Sequence, residues 1–177
     1  MVSAAGADAS VLAWWRAAAD PEVDAIIRAM HGEVAEAVRV RRPLCLASGR
    51  CCAFREHGHR LYLTGLEAAW TWMDLARRGE PLPDAAARAD GLSLMRCPLL
   101  RDGLCGAHAS RPSGCRVYFC DRAAQAWQPE LTELLHGQVR ALHETRGIPY
   151  EYSEWIGLLG RIGDTWDKGV LSAPASP

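Results

Sequence analysis

The sequence predicts a mainly α-helical fold with a minor β component. It reads as one helical domain, residues 1–177, around a cysteine-rich knuckle with a short two-stranded or irregular element. Three observations predict it. Apolar residues recur at three- and four-residue intervals in several segments, which marks helices with one face buried. Only short runs suit strands. All seven cysteines fall in two stretches, Cys45 to Cys52 and Cys97 to Cys120, between a helical segment at 8–42 and another at 122–165.

Taken in order, residues 8–19 form a short helix with Leu12, Trp15 and Ala19 on one side. Asp20-Pro21-Glu22 opens a second helix: aspartate caps, proline is preset for the first turn, and an acid complements the helix dipole. Val23, Ile26, Ile27, Met30, Val34 and Val38 continue it, and Pro43 ends it beside Cys45. The run Arg60 to Thr64 is too short for a helix and suits a strand. Thr64-x-x-Glu67 is a capping box that starts a helix to about Arg78, carrying Leu66, Ala69, Trp70, Met73 and Leu75, with Trp70 and Trp72 as core and rim aromatics. Residues 79–91, with Pro81 and Pro83, read as a surface loop, and Leu92 to Met95 as a second short strand. Asp102-Gly103 is a hairpin turn that brings Cys97 and Cys105 together. From Arg111 a turn enters a helix. After Pro129 an amphipathic helix uses Leu131, Leu134, Leu135, Val139 and Leu142 and stops near Gly147. Tyr152 to Ile162 form a last short helix, and the tail after Val170 frays.

Composition narrows the function classes. A net charge of −1 provides no basic field for nucleic acid or an acidic membrane surface. No stretch has the 18 or so apolar residues that span a bilayer, and the first ten residues lack the basic and apolar pattern of a secretory leader. A cytoplasmic location is the expectation. Thiols there stay reduced, so clustered cysteines point to metal ligation or catalysis before disulfides.

Soft thiolates from segments that turn tightly suit zinc, iron or an iron–sulfur cluster. The candidate ligands are Cys45, Cys51, Cys52, Cys97, Cys105, Cys115 and Cys120, more than the four a tetrahedral site needs. Cys97, Cys105, Cys115 and one of the adjacent pair Cys51/Cys52 are the favoured set, since neighbouring cysteines close a strained ring on one ion. Cys115 and Cys120 are expected roughly one helical turn apart. Arg50, Arg55, Arg96, Arg101, Arg111 and Arg116 each lie within four residues of a cysteine, where a guanidinium favours thiolate. Solvated surface is the plainer reading of the same residues. His57, His59 and His108 are candidate nitrogen ligands, though a lone loop histidine is more often simply exposed.

These residues resemble the YkgJ-type cysteine-cluster family of zinc- or iron-chelating domains. That family's first motif is Cys-x-x-Cys-x-x-Cys-Cys, and here it stands as Cys45-x-x-Ser48-x-x-Cys51-Cys52. The second is reproduced by Cys97-Pro98, Cys105, Arg111-Pro112-x-x-Cys115-Arg116 and Cys120. The resemblance covers about residues 43–122. It implies a metal-binding core holding an iron–sulfur cluster or iron, with zinc as the alternative, in a structural, sensing or metal-handling role. Ser48, His108, Arg111 and Arg116 would stand next to the ligands. Ser48 in place of cysteine weakens the site, supplies an oxygen, leaves a coordination position open, or lies outside the ligand set altogether. The resemblance extends to flagellin lysine-N-methylases, so a redox or group-transfer enzyme is the alternative. No glycine-rich nucleotide loop or Ser/His/Asp spacing supports that alternative, and a disulfide-stapled, metal-free domain fits poorly with an odd cysteine count.

Overall fold

The computed structural model describes residues 8–45 and 48–173. The first helix, α1 (Ala9–Ala19), starts where the Asp8 carboxylate accepts from the backbone N–H of Ser10 at 3.0 Å and Val11 at 3.3 Å. Its buried face is Val11, Trp14, Trp15 and Ala18, one position round from the face expected. Asp20 then caps α2 (Pro21–Arg41), which ends with Arg42 in the left-handed conformation just before Pro43.

The chain next makes a 3₁₀ turn at Arg50–Cys52, a single helical turn α3 (Phe54–His57), strand β1 (Tyr62–Thr64) and helix α4 (Gly65–Arg77). The Thr64/Glu67 capping box is present in both directions. Every residue of α4 from Gly65 to Leu75 is buried, so α4 is the central helix and both Trp70 and Trp72 are core. Gly65 lies against the Trp14 ring with no space for a Cβ. This close approach seats α1 on α4, and the Trp14 indole N–H is satisfied by the Pro149 carbonyl at 2.8 Å.

Three expectations are corrected. Residues 79–91 are not all loop and 92–95 are not a strand, because α5 spans Ala85–Leu94. Asp84 caps it, accepting from the Ala87 N–H at 2.8 Å, and the alanines that follow have the highest helix propensity. Arg88 then ties it to α8, below, through Asp164 and Asp167 at 3.0 and 2.6 Å.

After α5 come β2 (Leu100–Arg101) and β3 (Leu104–Cys105), then α6 (Ser113–Val117), a 3₁₀ turn at Arg122–Ala126, and α7 (Gln128–Arg146). Helix α7 follows the expected stripe, except that Leu134 is exposed.

The second correction is at Tyr152. Tyr152–Glu154 form strand β4, antiparallel to β1 with Leu63 opposite Ser153, and only then does α8 (Trp155–Asp167) begin. The third is the tail. Leu171 is buried and the Trp15 indole N–H donates to the Ser172 carbonyl at 3.2 Å, so the chain is held there. Residues 1–7 and 174–177, which carry the expected absence of a leader and the end of the frayed tail, lie outside the described residues.

The described residues thus contain eight α-helices and two two-stranded sheets, β1–β4 and β2–β3, in agreement with the mainly α expectation. No described helix is long and apolar enough to cross a membrane.

Candidate metal centre

Backbone geometry joins the two cysteine stretches. The Cys97 N–H donates to the Cys52 carbonyl at 2.8 Å, and the Arg55 N–H to the Met95 carbonyl at 3.0 Å. The hairpin β2–β3 pairs Leu100 with Cys105. Its turn has Asp102 and Gly103 both at positive φ, 48° and 75°, the primed geometry that matches strand twist. Gly49, at φ 66°, presses on this turn, and a Cβ there would collide with the Gly103 carbonyl. Gly49→Ala is therefore expected to cost about 1–2 kcal/mol from the left-handed backbone alone. The clash should also push Gly49 and the turn after it off the hairpin, and a lowered melting temperature with the helical circular dichroism retained checks it.

The sulfurs meet at Cys52. Its buried thiol is hydrogen-bonded with Cys105, Cys51 and Cys97, which, together with burial, pushes it far up. Those bonds hold the partners down. Cys51 falls to about 6, against burial and with help from the Arg111 guanidinium. Cys105 falls to about 7 for the same leading reason, helped by the Ala107 N–H and Arg111. Cys97 is lowered by Cys52 against burial, and the Trp155 indole N–H donates to its sulfur at 3.2 Å. A single S–H can donate to only one of these sulfurs at a time, so the group shares its protons and titrates as a unit. Cys115, in α6, is pushed well above its usual value by burial and then by the charges of Cys97, Cys105 and Cys51.

Cys45 and Cys120 are exposed and take no part in these thiol contacts. They line a cavity of about 260 Å³ together with Cys51, Cys105, Ser48, His108 and Arg111. Cys120 is not one helical turn from Cys115. Helix α6 stops at Val117 and Tyr118 is extended, which carries Cys120 outward. Its thiol is raised by burial and then by Cys51, with Arg50 opposing. All seven cysteines are free.

The histidines separate. His59 Nε2–H donates to the Cys51 carbonyl at 3.3 Å while its ring stacks on Tyr118 and meets Phe54 edge-on, so it braces the loop. His57 is exposed on α3. His108 stands on the cavity wall, lowered by burial and then by Arg111 and Arg116, so its ring is neutral near pH 7.

Of the arginines, Arg111 influences the sulfurs directly, and it donates to the His108 carbonyl at 3.0 Å and the Cys115 carbonyl at 3.5 Å. Arg116 instead ties the loop by donating to the carbonyls of Arg111 and Ala109 at 2.7 and 2.6 Å. Arg101 donates to the Pro81 and Leu82 carbonyls, and Arg96 pairs loosely with Asp90, so neither serves the cluster.

Sequence reasoning missed Trp155, whose indole reaches Cys97 from α8, and Gly49, whose place in Ser48-Gly49-Arg50 was a readable turn signal. It also missed Asp74. This carboxylate is buried on α4 and accepts from Ser110 at 2.6 Å, which anchors the loop leading to Arg111 and Cys115.

Among the described residues, no three histidine, cysteine, aspartate or glutamate side chains form a group arranged to hold a metal ion. The sulfurs interact through the shared Cys52 thiol rather than as a ready ligand set. Comparison of the chain with protein-family models, with curated proteins and with solved structures finds no match.

Proposed function

We propose that the protein binds metal through its cysteine cluster, holding an iron–sulfur cluster or iron, or alternatively zinc, by thiolates. The observation that carries this is the joining of the two distant cysteine stretches, by the Cys97 N–H on the Cys52 carbonyl and by the hairpin that carries Cys105, with an indole N–H donated to the Cys97 sulfur. The donor set is chemically suited. Soft sulfurs suit these metals, and binding would displace the protons that the group shares. Cys115 would be the next ligand inward, and Cys45 and Cys120 the ligands reached from the cavity. Such a group supplies either a rigid cross-link or, with iron, an electron-accepting centre. The N–H from Trp155 is the kind of hydrogen bond to sulfur that sets the potential of such a centre. The likeness of Cys97-Pro98 through Cys120 to the YkgJ-type motif supports the same reading.

The test is anaerobic purification with elemental and sulfide analysis alongside a visible spectrum. Iron with sulfide, or stoichiometric zinc in colourless protein, supports the proposal. Protein that takes up neither metal while all seven thiols titrate freely would sink it. If iron is bound, Trp155→Phe, which keeps the ring but removes the N–H, is expected to lower the reduction potential. An unchanged potential and spectrum would deny that role to Trp155.

A second reading, a metal- or cluster-dependent enzyme, is favoured by one observation: a cavity reaches Cys51 and Cys105 from solvent.

A further inference from the structure

That cavity has a composition of its own. One part of its wall is sulfur, and Leu104, Tyr118 and Phe119 add apolar surface. Its charged residues are Arg50 and Arg111, with no aspartate or glutamate among the described residues that line it. Arg28, Arg60, Arg78, Arg88, Arg146 and Arg161 elsewhere each pair with a carboxylate. Arg50 and Arg111 pair with none among the described residues. Arg111 spends its Nε and Nη1 on backbone carbonyls, which fixes the guanidinium in place with its Nη2 unspent. His108 adds a neutral ring to the same wall.

A guanidinium held by backbone carbonyls and without a carboxylate partner, beside aromatic surface, is the recognition chemistry of an oxyanion attached to an apolar body. The volume, about 260 Å³, lies just below the roughly 300–1,000 Å³ of ordinary ligand pockets. The occupant is therefore small.

We propose that this cavity binds a small organic oxyanion, with its charged end on Arg111 and Arg50, its apolar end on Tyr118 and Phe119, and its body against Cys51 and Cys105. This deepens the metal-binding reading by naming the class of molecule brought to the cluster, although the anion site itself is built by the arginines and aromatics.

The experiment is calorimetric titration of the full chain with benzoate and phenyl phosphate, with benzamide as the neutral counterpart, and the metal content of each sample measured in parallel. Saturable binding of either anion is expected, with benzamide weaker by about tenfold or more, as the loss of a charge-assisted hydrogen bond implies. A preference between the two anions identifies a carboxylate or a phosphate as the natural group. Arg111→Met and Arg50→Gln are each expected to weaken binding about tenfold. Arg50 is exposed in its loop, so Arg50→Gln stays informative should Arg111→Met fail to fold. Absence of saturable binding, equal binding of benzamide, or undiminished binding by folded Arg50→Gln would overturn the proposal, and the arginines would then serve only to balance the thiolates. Anion binding by protein that takes up neither iron nor zinc would uphold the site while refuting the metal reading. Metal without anion binding would do the reverse.

Discussion

Replacing Cys97 by alanine is expected to destabilise the fold and, if the protein holds the proposed metal, to reduce it to about a tenth of the wild-type content or less, since metal affinity and folding are coupled in thiolate sites. Cys97 is buried, contacts the central Cys52 thiol, receives the Trp155 N–H, and donates its own N–H to the Cys52 carbonyl. The substitution leaves the backbone bond but strands the indole and removes a sulfur from the middle of the group. A loss of about 3 kcal/mol, the order of a buried large-to-small change with an orphaned donor, would lower the melting temperature by about 6–12 °C in a chain of this size. Cys120→Ala is the control. That thiol is exposed and outside the Cys52 contacts, so its loss is expected to spare stability whatever it does to metal content. A Cys97→Ala protein with full metal and an unchanged melting temperature would remove Cys97 from the ligands.

The second large effect is expected at Asp74. Its side chain is 2% exposed and meets Arg28 and Arg78, both at 2.7 Å, and the Ser110 hydroxyl at 2.6 Å. It therefore fastens α2 and the 106–112 loop to the central helix at one carboxylate. Asp74→Ala leaves the Ser110 hydroxyl buried without its acceptor, while the half-exposed arginines stay solvated, and is expected to cost about 1–3 kcal/mol, or about 2–12 °C in melting temperature. Because Ser110 precedes the Arg111-to-Cys115 segment, any metal bound as proposed should fall as well.

The pH dependence follows from the same contacts. Burial alone would raise the Asp74 carboxyl, but Ser110, Arg28 and Arg78 outweigh it and hold the group below its ordinary 3.8. A group depressed in the folded state contributes its stability above the ordinary value and loses it as pH falls through the folded one. The wild-type melting temperature should thus drop steeply below about pH 4, and the Asp74→Ala protein should show a shallower drop there. Parallel curves for the two proteins would mean that other carboxylates dominate the acid limb.

What the sequence by itself determined is the set of features whose physics is local. Asp20-Pro21, the Thr64/Glu67 box, Asp102-Gly103 and the stripe after Pro129 all act within a turn or two of chain, and each appears where it was read. The mainly helical class follows from them. The helix at 85–94 is also local: Pro81 and Pro83 mark a loop, and the Asp84 cap that follows starts the helix. Tertiary structure alone decided the rest. Residues 152–154 become a strand because β1, some ninety residues earlier, presents an edge to pair with, and no local propensity selects that partner. Likewise, the sequence named seven candidate ligands but could not order them. Their ranking depends on where the hairpin, α6 and α8 set each sulfur: Cys52 at the centre, Cys97 under an indole 58 positions away, Cys45 and Cys120 at the mouth of a cavity. Spacing along a chain limits which cysteines can meet, and packing across it chooses which of them do.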